Sequence, residues 1–344
     1  MPTENPPVNS LPDQKRRRWR LWPAVVALLA GTAGAQTCTT GAEISASERS
    51  SVEAAAQHYF ELSVRGDTAV LRQSSIPSLA TNFGAVEEAV KGNQADFTDA
   101  KATPRPSFVL TATGQAPLER AEFLCGVFNR LGQTEDSAVF VLRDLPPGTF
   151  AVAVLDVKGG AEPRTLTLVL QLAGTDWKLA GYYVRPPVAC GHDGAWFAEK
   201  ARAFKSKSQN HNAWLYYRQA IALTAPVDFM STLATDKLYD ELQTVIPADM
   251  PSTIAPLEVM GGAVSFHWID IFPLAVGNDF DVEVRYSAAD ISNTQKTFEQ
   301  NRTVMKAVLA KFPELRDGFA AVVARAIDPS GKDYPSLLPM KEIN

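Results

Sequence analysis

RTLTLVLQL, residues 164–172, alternates its side chains with a period of two, and that period decides the fold class. Leu166, Leu168, Leu170 and Leu172 share one face of a strand, while Thr165, Thr167 and Gln171 share the other. The reading extends in both directions. SFVLTATG (107–114), AEFLCGVF (121–128), SAVFVLRD (137–144), TFAVAVLDV (149–157) and DWKLAGYYV (176–184) make five further strands, punctuated by glycine and Pro-Pro-Gly turns.

Upstream the period is helical. SASERSSVEAAAQHYFELSVRGD (45–67) offers a serine cap, then Val52, Ala55, Ala56, Tyr59 and Leu62 at helical spacing, and a stop at Gly66. A short helix after Asp67 and another around GAVEEAVKGNQ (84–94) follow. Helices first and strands after predict an α+β domain over 36–187, with a curved antiparallel sheet wrapped on its helices.

GHDGAWFAEKARAFKSKSQNHNAWLYYRQA (191–220) opens a second segment, 195–246, read as a helical hairpin. Ala201 and Phe204 face Ala213, Tyr217 and Ala220; Leu238 and Leu242 suggest one more short helix. One hairpin cannot bury both its faces, so it is expected to pack against the first or the last segment. After the linker IPADMPSTIAP (246–256), residues 256–344 read as a small α/β unit. AVSFHWIDI and FDVEVRYSA are strands around the turn GND, and NTQKTFEQNRTVMKAVLAKFPEL is a helix. GFAAVVARAI either continues that helix or forms a strand; Gly318 and the paired valines favour the strand, giving ββαβ.

The order of the first segment resembles the cone fold shared by nuclear transport factor two, ketosteroid isomerase and SnoaL-like proteins. HYFELSVRGD (58–67) is similar to that superfamily's first-helix exit and DWKLAGYYVRP (176–186) to its last strand. The hairpin looks like a single tetratricopeptide-type unit. The resemblance implies a fold that hosts isomerases, cyclases, binding modules and assembly domains, and it fixes none of those functions. In the isomerase, a helix-one tyrosine stabilises the oxyanion and an aspartate some 24 residues later removes the proton. Tyr59 matches the tyrosine; Asn82 and Phe83 stand where the base belongs, and no Asp or Glu occurs between Asp67 and Glu87. Without a carboxylate the mechanism has no general base.

The N-terminus has the order of a secretory signal: KRRRWR, an apolar stretch LWPAVVALLAG, then Ala33 and Ala35 in the A-x-A positions. Cleavage is expected after Ala35, the apolar run falling short of the ~20 residues of a membrane helix. The full chain of 344 residues carries 33 basic and 38 acidic residues; removing the five and two in the signal leaves a mature net charge near −8. A periplasmic or extracellular location is expected, with no lipid anchor and no membrane span in the mature chain. An acidic exported chain gives no electrostatic footprint for nucleic acid. Export permits a disulfide among Cys38, Cys125 and Cys190. Cys38 with Cys125 is the preferred pair, since both lie in the first segment; the alternative leaves Cys125 a buried free thiol.

Candidate sites are sparse, and no cofactor is expected. His192 and Asp193 form a His-Asp pair between glycines, where the aspartate suits a helix cap better than a metal. His211, nineteen residues on, reads as a polar residue of the hairpin turn, so no zinc site is expected. Asp279, Asp281 and Glu283 alternate on one strand face, read as solvated, with a calcium edge as the alternative. Asn301-Arg302-Thr303 is a glycosylation sequon inside a helix. Asp156, Asp176, Tyr182 and Tyr183 could line a mouth of the first domain. Tyr59 and Tyr183 are the candidate ligand-contacting residues; Trp196, Trp214 and Tyr216 are the candidate surface for a protein or peptide partner. The expectation is a binding or assembly module without catalysis, the alternative being a small-molecule enzyme or ligand carrier that uses the interior of the first domain.

Overall fold

The computed structural model describes residues 36–126 and 137–343, with backbone placed also at 128–129 and 132–133. The expected signal, 1–35, lies outside the described residues. The described chain enters through β1 (Gln36–Thr40), a strand that the sequence reading leaves unassigned. Ser45 then caps α1 (Ala46–Val64), its hydroxyl accepting the Glu48 N–H at 3.2 Å. Val52, Ala56, Tyr59, Phe60 and Leu62 form the buried stripe of α1. Gly66, at φ +65°, takes the left-handed conformation that ends it. Short helices follow: α2 (Thr68–Gln73), capped by Asp67, α3 (Pro77–Thr81), α4 (Gly84–Gly92) and α5 (Gln94–Phe97).

The strands come next: β2 (Lys101–Pro104), β3 (Phe108–Ala112), β4 (Leu118–Cys125), the short β5 (Phe128–Asn129) and β6 (Gly132–Gln133), then β7 (Ala138–Leu145), β8 (Gly148–Lys158), β9 (Arg164–Ala173) and β10 (Asp176–Arg185). A small ladder of β11 (Val188–Ala189) and β12 (His192–Asp193) leads into α6 (Gly194–Ser206), which packs against α7 (Asn210–Thr224). Gly194 permits that approach, because a Cβ there would lie 2.9 Å from the carbonyl oxygen of Ala220. Then come β13 (Met230–Thr232), α8 (Leu233–Gln243), β14 (Leu257–Gly261), β15 (Val264–Val276) and β16 (Asp279–Ser287). The chain closes with α9 (Thr294–Lys311), capped by Asn293, α10 (Leu315–Gly318), β17 (Ala321–Ile327) and β18 (Asp333–Pro339).

The expectation of one sheet in the first segment is corrected to two larger sheets, beside the short β5–β6 ladder. One sheet has the order β1-β3-β8-β9-β10, with β2 also on β8; the other has the order β13-β7-β4. The reason is visible in β8, TFAVAVLDV. Ala151, Ala153, Leu155 and Val157 join the core under α1, while Phe150, Val152 and Val154 join a second core with Phe123 of β4 and Phe140 of β7. A strand covered on both faces reads as a continuous apolar run, not an alternation. The polar face assigned to β9 is corrected for the same reason: Thr165 and Thr167 are 5% and 0% exposed, and Val169 on their face enters the second core.

The last segment is larger than ββαβ. Its sheet has the order β14-β15-β16-β17-β18, antiparallel except for β16 with β17, which α9 connects in parallel. β18 carries Pro335 and Pro339, which suit an edge strand. GFAAVVARAI becomes strand only from Ala321, with Gly318 ending the short α10. The helices α6, α7 and α8 share one apolar core with this sheet: Phe197, Tyr217 and Leu238 lie in the same cluster as Trp268, Val284 and Val308. Meanwhile β13, which follows α7, pairs with β7 of the first segment. The middle helices are thereby tied to both sides.

Candidate binding groove

Tyr59 is 3% exposed, and its hydroxyl is held by main chain alone in the bonds observed: it accepts the Leu179 N–H at 3.1 Å and donates toward the carbonyls of Trp177 (2.9 Å) and Ser74 (3.0 Å). Burial raises its pKa, the bond from Leu179 opposing. A tyrosine so engaged ties α1 to the start of β10; it does not face a ligand. Tyr182 is likewise buried, and its hydroxyl donates to Ser63 at 2.9 Å. Asp156 is bound bidentately by Arg105, and Asp176 sits exposed at the first position of β10. Among these, Tyr183 alone opens on a cavity. It is 41% exposed, meets Phe229 edge-on at 5.4 Å, and lines a hollow of about 650 Å³ with Val141, Leu142 and Val169.

Of the three residues expected on a partner surface, Tyr216 is removed by burial. It is 6% exposed, packs on Phe204 and Phe280, and donates its hydroxyl to the Gly318 carbonyl. Trp196 is half-buried, its face covered by the parallel His192 ring at 3.7 Å. His192 is therefore a stacking partner, and Asp193 caps α6 by accepting the Trp196 N–H at 2.9 Å. His211 lies in the first turn of α7, not in the connecting turn, and its ring spans Glu314 and Asp249 at 2.9 Å each.

The solvated carboxylate face of β16 holds at Asp279, which is exposed, and is corrected at the other two positions. Asp281 and Glu283 are each 1% exposed; Glu283 accepts from Arg285 and Arg325, and burial raises the pKa of Asp281. Asn301 is fully buried, donating to Tyr334 O and Ser336 Oγ and accepting from Tyr286, so the sequon is closed in the fold. Cys38 and Cys125 are joined by a disulfide, Cα–Cα 5.0 Å, and Cys190 is free. Among the described residues no group of three His, Cys, Asp or Glu is placed to hold a metal ion. No described helix is long and apolar enough to cross a membrane.

Trp214 belongs to a groove of about 870 Å³, within the range that small-molecule and peptide sites occupy. One stripe of α7 supplies Trp214, Arg218, Ile221 and Ala222, at the three- and four-residue spacing of a helix face. Tyr239 and Leu242 of α8, then Ile246, Pro247, Met250 and Pro251 of the linker, form the opposite side. Arg185 and Pro186, at the end of β10, close it from the first segment. Tyr239 is 54% and Ile246 49% exposed, so this side of the groove presents apolar surface to solvent. The Arg218 guanidinium lies over the Trp214 ring, 4.7 Å from its centroid, and donates to the Ile271 carbonyl at 3.0 Å. Arg185 pairs with Asp228 at 2.7 Å, and Asp228 borders both this groove and the Tyr183 hollow.

Sequence reasoning singled out Trp214 but missed Arg218, Tyr239 and Arg185. For Arg218 the signal was present, an arginine four residues after a tryptophan on one helix; Tyr239 and Arg185 reach the groove only through tertiary packing. No family model, curated protein or solved structure matches the chain.

Proposed function

We propose that this chain is an exported, non-catalytic binding module that captures a polypeptide in the groove between α7, α8 and the end of β10. The observation that carries the reading is the groove itself: apolar surface presented to solvent, with Trp214 and Tyr239, contributed by both halves of the chain. Aromatic anchors in a desolvated trough are what dominate polypeptide recognition. Against catalysis stand Tyr59, whose hydroxyl is spent on main chain, and the Val52, Phe60, Leu155 and Leu168 side chains that fill the space between α1 and the sheet. The cone and tetratricopeptide resemblances are read from the sequence, and both are to families in which binding and assembly roles are familiar. Export is read from residues 1–35, and the Cys38–Cys125 bridge is compatible with an oxidising compartment.

A second reading, a small-ligand carrier, rests on the Tyr183 hollow, whose three aromatic rings and apolar walls suit a flat molecule. Selection from a displayed random-peptide library, followed by Trp214→Ala and Tyr183→Ala variants with unchanged circular dichroism, separates the two. Loss of peptide binding in the first variant supports the groove; retention there and loss in the second moves the site to the hollow.

A further inference from the structure

Arg218 is the least neutralised arginine of the groove. Arg185 is closed onto Asp228 at 2.7 Å. Elsewhere Arg202 makes two bonds to Glu241 and Arg325 is held by Glu283 and Asp333. The carboxylate nearest Arg218 is Asp270, whose Oδ1 lies 4.0 Å from Nη1 and already accepts the Ile271 N–H at 2.9 Å. One Arg218 donor reaches the Ile271 carbonyl, out of the five that a guanidinium carries. The group sits over the Trp214 ring, and Arg218 lines the groove. Burial, ahead of the opposing field of Asp270, makes the protonated form of Arg218 harder to hold than in water. A half-buried cation with open donors and an apolar surround is complementary to a carboxylate that brings its own apolar neighbour.

We propose that the groove takes the C-terminal residue of a peptide, its terminal carboxylate on the Arg218 guanidinium and its apolar side chain between Trp214, Tyr239, Leu242 and Met250. The inference rests on the binding role proposed for the groove. A peptide fits better than a fatty acid because Gln219, Ser252 and Thr253 stand along the same groove, able to bond main-chain amides, and because the walls are broken into niches by Pro186, Pro247 and Pro251.

The test is tryptophan fluorescence titration of the full chain with acetyl-Ala-Leu-X tripeptides, X running through the apolar residues, each as free acid and as amide, with dodecanoate alongside. The expected result is at least one acid binding about tenfold or more tighter than its amide, the ratio collapsing toward one in Arg218→Gln and partly kept in Arg218→Lys. The acid-to-amide ratio of the unaltered protein is decisive even if a variant misfolds. Acid and amide binding equally overturns the carboxylate assignment and leaves the groove reading standing. Dodecanoate bound in preference to every peptide acid overturns the peptide source. No binding by acid, amide or dodecanoate overturns the inference and the groove reading together.

Discussion

His211 stands between two carboxylates, its Nδ1 2.9 Å from Glu314 Oε1 and its Nε2 2.9 Å from Asp249 Oδ1. Its own main-chain N–H also donates to Glu314 at 2.8 Å, and Lys311 reaches the other oxygen of Asp249 at 3.4 Å. Each ring nitrogen thus has a carboxylate oxygen within hydrogen-bond distance. The ring joins the start of α7 to the end of α9 and to the linker, and Asp249 sits between groove residues Pro247 and Met250. His211→Phe keeps the contact with Phe312 and removes one bond from each carboxylate, leaving Glu314 the main-chain N–H and Asp249 the Lys311 ammonium. We expect a loss of about 0.5–1.5 kcal/mol in urea unfolding, with faster hydrogen exchange across 246–253. Unchanged exchange in that stretch would show that the ring does not hold the wall of the groove.

Tyr59→Phe removes one hydroxyl, while the Leu179 N–H keeps its bond to the Ser74 carbonyl at 3.1 Å. The expected cost is about 0.5–1.5 kcal/mol of stability, with peptide binding unaltered. A binding defect at full stability would reinstate Tyr59 as a ligand residue.

Glu241 supplies the acid sensitivity of the helical segment. Arg202 donates to it at 2.8 and 2.9 Å, and these bonds, joined by that of the Tyr217 hydroxyl and opposed by burial, hold its carboxyl below the ordinary glutamate value. The folded value lies below the unfolded one, so the stabilisation is complete above the unfolded value, about 4.3. It is lost as pH falls through the folded value. Glu241→Gln should therefore be clearly less stable than the parent at pH 7, with the gap narrowing as the pH drops below about 4. A gap that stays constant with pH would assign the stabilisation to packing.

The Cys38–Cys125 bridge closes a sequence separation of 87 residues and pins β1 against β4. Cross-links of this span restrict the unfolded chain by about 4 kcal/mol, less any native strain. Reduction is expected to lower the thermal midpoint by several degrees and to expose β1 to proteolysis near Gln36. Without reductant, one thiol per chain should alkylate, and slowly: burial, followed by the fields of Asp281 and Asp279, raises the Cys190 pKa. Rapid alkylation of two or three thiols would refute the pairing.

The residues that were legible in sequence are those whose surroundings are local. Ser45, Asp67, Asp193 and Asn293 cap helices in the way their positions announce, each accepting an N–H three residues on. β3, β4, β7, β8, β9 and β10 were legible as runs of strand formers between turns, and α9 as a helix. What failed was partner assignment. Asp281 and Glu283 alternate as solvated residues do, yet both are buried, and Arg325, forty-two positions away from Glu283, supplies Glu283 with a half-buried counter-charge. Thr167 looks polar by identity and is buried because its strand is covered on both sides. β1 and β14 are five-residue edge strands, too short for a period to declare itself. The groove was half legible: Trp214 stands out as an aromatic, whereas Arg185 and Tyr239 approach it from segments 29 residues before and 25 residues after it in the chain.

The most direct measurement is the dissociation constant of the tightest library-selected peptide for the unaltered chain and for Trp214→Ala, Tyr239→Ala and Tyr183→Ala, each checked for a native melting profile. The groove account predicts at least about a tenfold weakening in the Trp214 and Tyr239 variants and none in the Tyr183 variant. Unchanged affinity in both groove variants would contradict it.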